Sequence, residues 1–127
     1  MNFLEERIIK DGIVKEYSTG RRLVEIDDRY IKNYSNGHRD YEIDGNYVKD
    51  YSSGKRLLEI DGSYIKEYAT GRRLYEEDGR YLKDYSSGRR LLEIDGNYIK
   101  EYATGKRIYE IEGYLPRTSL LAFLFIH

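Results

Sequence analysis

Few residues of this chain have the types and spacing that catalysis needs. Its two histidines are His38 and His127, and it has no cysteine, so thiolate nucleophiles, disulfides and cysteine-bound zinc are excluded. His38 occupies a slot that lysine or arginine fills elsewhere in the chain, which reads as a solvated position, and His127 is terminal. Ser52, Ser53, Thr70 and Thr104 fall in turn-like stretches, where short hydroxyl side chains serve turn geometry. A calcium reading rests on Glu93-x-Asp95-Gly96-Asn97 and its copy Glu42-x-Asp44-Gly45-Asn46. Calcium takes about six to eight oxygens, and these fragments offer only part of such a set. No group of acid, base and nucleophile stands apart. We therefore expect no enzyme, no metal and no cofactor.

The side chains that recur at a fixed spacing are tyrosine and lysine. Tyr47, Tyr64, Tyr81 and Tyr98 form one row, Tyr51, Tyr68, Tyr85 and Tyr102 a second, and Lys49, Lys66, Lys83 and Lys100 lie between them. Tyrosine supplies a large, rigid contact area at low entropic cost, and an ammonium group beside a ring adds cation–π attraction. These twelve residues are the candidate binding surface. The same tyrosines would also serve cross-strand packing.

A repeat places them. Units of seventeen residues begin at Asp27, Asp44, Asp61, Asp78 and Asp95, and a copy one residue shorter begins at Asp11. Every glycine falls in one of two columns, one running from Gly20 to Gly105 and the other from Gly12 to Gly113. Glycine enters positive φ without steric penalty, so each column marks a reversal of the chain. Tyr-Ala-Thr-Gly-Lys at 102–106 reads as a three-residue hairpin loop, and Ile-Asp-Gly-Asn at 94–97 as a two-residue type I′ turn. These turns pair Glu101 with Arg107 and Ile99 with Tyr109 across the first, and Leu92 with Ile99 across the second.

The expected fold is all-β: tandem seventeen-residue hairpins forming one long antiparallel meander, an open twisted sheet. Folding into a two-layer sandwich, or completion by a second chain, are alternatives. Alternation puts Ile31, Val48, Ile65, Leu82 and Ile99 on one face with Tyr41, Leu58, Tyr75, Leu92 and Tyr109. Fully burying a large aliphatic side chain contributes about 1.5–3 kcal/mol, so this face should be covered. Its far edge is expected to carry an ion-pair ladder, Asp50, Glu67, Asp84 and Glu101 opposite Arg56, Arg73, Arg90 and Arg107. The tyrosines and lysines take the wet face.

One repeat domain spans 1–127: an N-terminal half-repeat or cap at 1–10, six hairpins at 11–111 and a C-terminal cap at 112–127. All three phenylalanines, Phe3, Phe123 and Phe125, lie outside the repeats and are expected to cover apolar rows that have no next unit. Leu115-Pro116-Arg117-Thr118-Ser119 resembles a sortase motif, but serine stands where that motif has glycine. The apolar run after it is too short to cross a bilayer of about 30 Å. The first ten residues do not read as a secretory signal, and lack of cysteine points to the cytosol.

Tyr98-x-x-x-Tyr102-x-x-Gly105-Lys106-Arg107 resembles the first half of the MORN repeat. Lys100-Glu101-Tyr102 with Gly105 is similar to the variant MORN-type repeats of bacterial proteins, here in a shorter unit. The resemblance implies a run of hairpins used for scaffolding or partner binding. The expected function is a non-catalytic module for protein–protein interaction or scaffolding through the Tyr/Lys face. A structural or self-assembling sheet, and a binder of a glycan or single-stranded nucleic acid by stacking, are the alternatives. The expected partner is another protein, with a homo-oligomer as a further option. The net charge of −1, with basic and acidic rows interleaved, gives no strong signal for nucleic acid or membrane.

Overall fold

A computed structural model describes residues 11–126. The half-repeat at 1–10, Phe3 and His127 lie outside the described residues. Twelve strands follow one another: β1 (Asp11–Glu16), β2 (Arg22–Asp27), β3 (Tyr30–Asn33), β4 (Arg39–Asp44), β5 (Tyr47–Asp50), β6 (Arg56–Asp61), β7 (Tyr64–Glu67), β8 (Arg73–Asp78), β9 (Tyr81–Asp84), β10 (Arg90–Asp95), β11 (Tyr98–Glu101) and β12 (Arg107–Gly113). A single helix, α1 (Arg117–Ile126), ends the described chain.

The tandem hairpins and antiparallel pairing are as expected, but the sheet is not open. β1 pairs with β12, and the twelve strands close into a barrel. The seam repeats the internal geometry. Val14 faces Ile111 and Lys15 faces Glu110, just as Ile99 faces Ile94 and Lys100 faces Glu93 inside a hairpin. Tyr17 N–H donates to Ile108 C=O at 3.0 Å across the seam, matching Tyr102 N–H on Leu91 C=O at 3.0 Å. Each unit offers its neighbour the same edge, so a sheet that twists steadily closes once its first and last edges meet, and closure satisfies both. That is why neither an open sheet, a second layer nor a second chain is needed to cover the isoleucine face.

The apolar rows line the lumen. Ile31, Val48, Ile65, Leu82 and Ile99 are fully buried. Twelve strands about 4.8 Å apart give a girth of about 58 Å, hence a backbone diameter of about 18 Å upright and about 24 Å at a 40° tilt. Side chains alone do not fill that width. Helix α1, about 10–12 Å across with its side chains, occupies the space. Leu121, Ala122 and Phe123 are buried against Val14, Val24, Ile31, Val48, Ile65 and Leu82, which come from strands around the wall. Phe123 meets Tyr109 edge-on at 5.1 Å, and Phe125 stacks on Tyr75 at 4.0 Å. The tail thus covers apolar rows from within the ring rather than beyond a last unit. Arg117 anchors its start, donating to Gly62 C=O at 2.8 Å and pairing with Glu77 at 2.5 Å.

Two turn assignments need correction. The two-residue turn is Gly96-Asn97 with Asp95 opposite Tyr98, so Ile94 rather than Leu92 faces Ile99. Gly96 has φ +61° while Asn97 stays negative, which is the type II′ pattern, not I′. The other loop spans four residues: Glu101 N–H donates to Lys106 C=O, and Gly105 N–H to Glu101 C=O, both at 2.8 Å. A bulge follows, because Ile99 faces Tyr109 but Lys100 faces Arg107. The first shift moves the pairing by two residues and leaves the faces unchanged. The bulge moves one residue, and that turns the arginines outward.

Candidate functional site

The outer wall of the barrel carries all twelve candidate residues, and the bulge adds Arg56, Arg73, Arg90 and Arg107, which were expected on the opposite face, together with Arg39. One unit illustrates the arrangement. The Arg56 guanidinium lies 4.0 Å from the centre of the Tyr47 ring and 5.5 Å from that of Tyr68, and it donates to Tyr68 Oη at 3.4 Å. The two rings meet edge to face at 5.6 Å. Arg39, Arg73, Arg90 and Arg107 sit 3.9 Å over Tyr30, Tyr64, Tyr81 and Tyr98 in the same way. The guanidinium groups are held above their ordinary range, first by the hydrogen bond to the phenol: Tyr68 for Arg56, Tyr85 for Arg73, Tyr102 for Arg90. A planar cation fits between two rings in a way an ammonium cannot.

The ion-pair ladder assigned to these arginines is absent among the described residues. Asp50 instead accepts from the hydroxyls of Ser52 and Ser53 and from Ser53 N–H. Those bonds hold its carboxyl below the usual range, with Ser53 the largest cause. Asp84 repeats this with Ser86 and Ser87, and Thr104 donates to Glu101 at 2.7 Å. The acids close their own loops, and the arginines serve the belt.

The lysines are tied down. Lys66 lies 3.7 Å from Glu59 and 3.6 Å from Asp61, and Lys49, Lys83 and Lys100 repeat the pattern at 3.7–3.9 Å. Their side chains are only 22–25% exposed. Partly exposed pairs at these distances stabilise by about 0–1 kcal/mol, so their main effect is to cancel charge at mid-wall. The two tyrosine rows also differ. Tyr51, Tyr68, Tyr85 and Tyr102, with Tyr17 and Tyr34, are 42–44% exposed, whereas Tyr47, Tyr64, Tyr81 and Tyr98 are half-buried beneath the arginines. The accessible surface is therefore the second row with its arginines. The sequence signal for the arginines was the apolar doublet that follows them, as in Leu57-Leu58 and Leu91-Leu92: strict alternation cannot put both inside, so one marks a bulge.

The belt has one irregular unit. Ile13 stands where the other hairpins have the first-row tyrosine, and Arg22 pairs with Glu112 at 3.2 Å while donating to Tyr34 Oη at 3.2 Å. Two open grooves mark the loop end, one lined by His38, Arg39, Asp40, Tyr41, Asp50 and Tyr51, the other by Glu16, Tyr17, Lys106, Arg107 and Tyr109. Asp40 replaces the outer leucine or isoleucine of the other units. Burial first, and then the Asp40 and Asp50 charges, raise the Tyr41 phenol. Among the described residues no group of three or more His, Cys, Asp or Glu is placed to hold a metal ion, and no helix is long and apolar enough to cross a membrane. The outer wall is built of tyrosine, arginine, lysine and glutamate, the reverse of a lipid-facing band.

No protein-family model matches the chain, and no match to it is found among curated proteins or solved structures.

Proposed function

We propose that this protein is a non-catalytic interaction module that binds partner proteins through the outer belt, with Tyr51, Tyr68, Tyr85 and Tyr102 and the arginines beneath them as the contact row. One observation carries this reading: large half-exposed rings are fixed in orientation by guanidinium and ring contacts before any partner arrives. A surface ordered in advance loses less entropy on association, and tyrosine and arginine are the residue types that anchor protein interfaces. Stacking of a glycan or of bases is less well supported, because Arg56 and its equivalents already cover the faces of the first-row rings. Sheet extension is likewise disfavoured, since the closed ring leaves no free edge among the described strands. The unit itself we read as a variant of the MORN type, supported by the Tyr-x-x-x-Tyr-x-x-Gly spacing that recurs around the ring.

The test replaces Tyr68 and Tyr85 with serine and compares affinity capture from the native host by wild type and variant, with circular dichroism and melting as the fold control. Partners captured by wild type and lost by a folded variant, then rebuilt from purified components, support the reading. An unchanged partner list refutes it.

A further inference from the structure

The repeat interleaves charges in sequence, but the barrel sorts them in space. The six segments 16–23, 33–40, 50–57, 67–74, 84–91 and 101–108 form the loop end, and together they hold eleven Lys or Arg against six Asp or Glu. The rest of the described chain holds nine Lys or Arg against fifteen Asp or Glu. One end is therefore positive by five charges and the remainder negative by six. Pairing sharpens the contrast. Among the described residues, Arg22 is the single loop-end cation within 4.0 Å of a carboxylate. At the turn end Arg29, Arg80 and Arg117 are all engaged, by Glu42, Glu93 and Glu77. Asp44, Asp61, Asp78 and Asp95 remain about half exposed beside lysines that already serve a glutamate.

We propose that the loop end of one barrel docks on the turn end of a second copy, giving a head-to-tail stack. Charge complementarity selects this occupant, because the acidic ring that the cations need is present on the same molecule. Spacing selects it too. Both rings are built on the same hairpins, so their charges recur at the same interval, about two strand widths or 9.6 Å. Opposite ends of one molecule make a heterologous contact that does not close on itself. The second-row tyrosines and the belt arginines belong to the same six segments, so the stack brings each belt to the border of the contact and lines up successive copies of it. The proposal does not depend on what the belt binds.

The test uses the full chain in sedimentation velocity and equilibrium at about 20 mM and about 500 mM salt, where the screening length falls from about 20 Å to about 4 Å. Wild type is expected to show a mass that grows with concentration at low salt and returns to 15.1 kDa at high salt. Two variants separate the ends: Lys55→Glu/Arg72→Glu/Arg89→Glu on exposed cations with no ion pair among the described residues, and Asp61→Asn/Asp78→Asn/Asp95→Asn on the acidic ring. Each alone should weaken self-association at least about tenfold. Mixed, they should form a one-to-one complex that grows no further, since each supplies the end the other lacks. A wild type that stays monomeric in low salt at all concentrations overturns the proposal, as does a mixture that remains two monomers. Binding of poly-glutamate or an oligonucleotide by the loop end of a strictly monomeric protein would assign the charge to a different partner and likewise overturn it.

Discussion

Phe123→Ala is the sharpest test of the plugged barrel. Phe123 is 1% exposed, is packed in the main apolar cluster and meets Tyr109 at 5.1 Å. Removing a buried ring of this kind leaves a cavity that a twelve-strand wall, hydrogen-bonded all round, cannot collapse to fill. Phe→Ala changes in such sites cost about 3–5 kcal/mol. For a domain of this size each kcal/mol moves the midpoint by roughly 3–6 °C, so the melt should fall by roughly 10–25 °C. That is a large share of a typical total of 5–15 kcal/mol. Urea unfolding followed by circular dichroism reads the free energy directly, and Phe123→Leu, which keeps most of the volume, should lose much less. Were α1 a lid resting on the rim, the substitution would cost under about 1 kcal/mol. A value that small at unchanged m would refute the placement of the helix in the lumen.

Two further predictions concern the turns. Asp28 is the only described non-glycine at positive φ, at 58°, where the equivalent turns have glycine; a side chain in the left-handed region costs about 1–2 kcal/mol, so Asp28→Gly should raise the urea midpoint, and a lower midpoint would contradict the turn geometry. Asp50 and Asp84 have carboxyls depressed by their serine partners, and a group whose folded pKa lies below its unfolded value stabilises above the unfolded pKa, near 3.9, and loses that contribution as pH falls through the folded one. Thermal midpoints should therefore drop more steeply below about pH 4 in wild type than in Ser53→Ala/Ser87→Ala, and parallel curves would show that these loop bonds do not favour the charged form.

The repeat, the hairpins and the apolar face were legible because each has a local cause. Glycine at Gly54 or Gly96 forces a reversal, and Ile31, Val48 and Ile65 must share a face. Closure was not legible, because it depends on the twist accumulated over twelve strands and on what fills the interior, and no single unit encodes either. The arginine belt was lost to one residue: reading Glu101 opposite Arg107 assumed uniform alternation, and the bulge at Ile108 breaks it. Along the sequence, Tyr41, Tyr75 and Tyr109 alternate with Val24, Leu58 and Leu92, a doubled period. Two of those tyrosines prove to be the ring partners of Phe125 and Phe123, so the doubled period is in part a packing code for the helix.

The direction in which α1 enters follows from the same sorting of charge. Its start is fixed at the turn end by Glu77 and the Gly62 carbonyl, and its last turn lies near the loop end, where Phe125 reaches Tyr75. A helix carries about half a positive charge at its N-terminus and half a negative charge at its C-terminus. Entering this way, it sets its positive end among the carboxylates of the turn ring and its negative end toward the basic loop ring. Entry from the other end would oppose like to like at both rims. Arg117 in the first turn runs against this preference, and its pairing with Glu77 offsets that cost. The barrel wall therefore selects both the occupant of its lumen, through apolar volume, and the occupant's polarity, through the charge on its two rims.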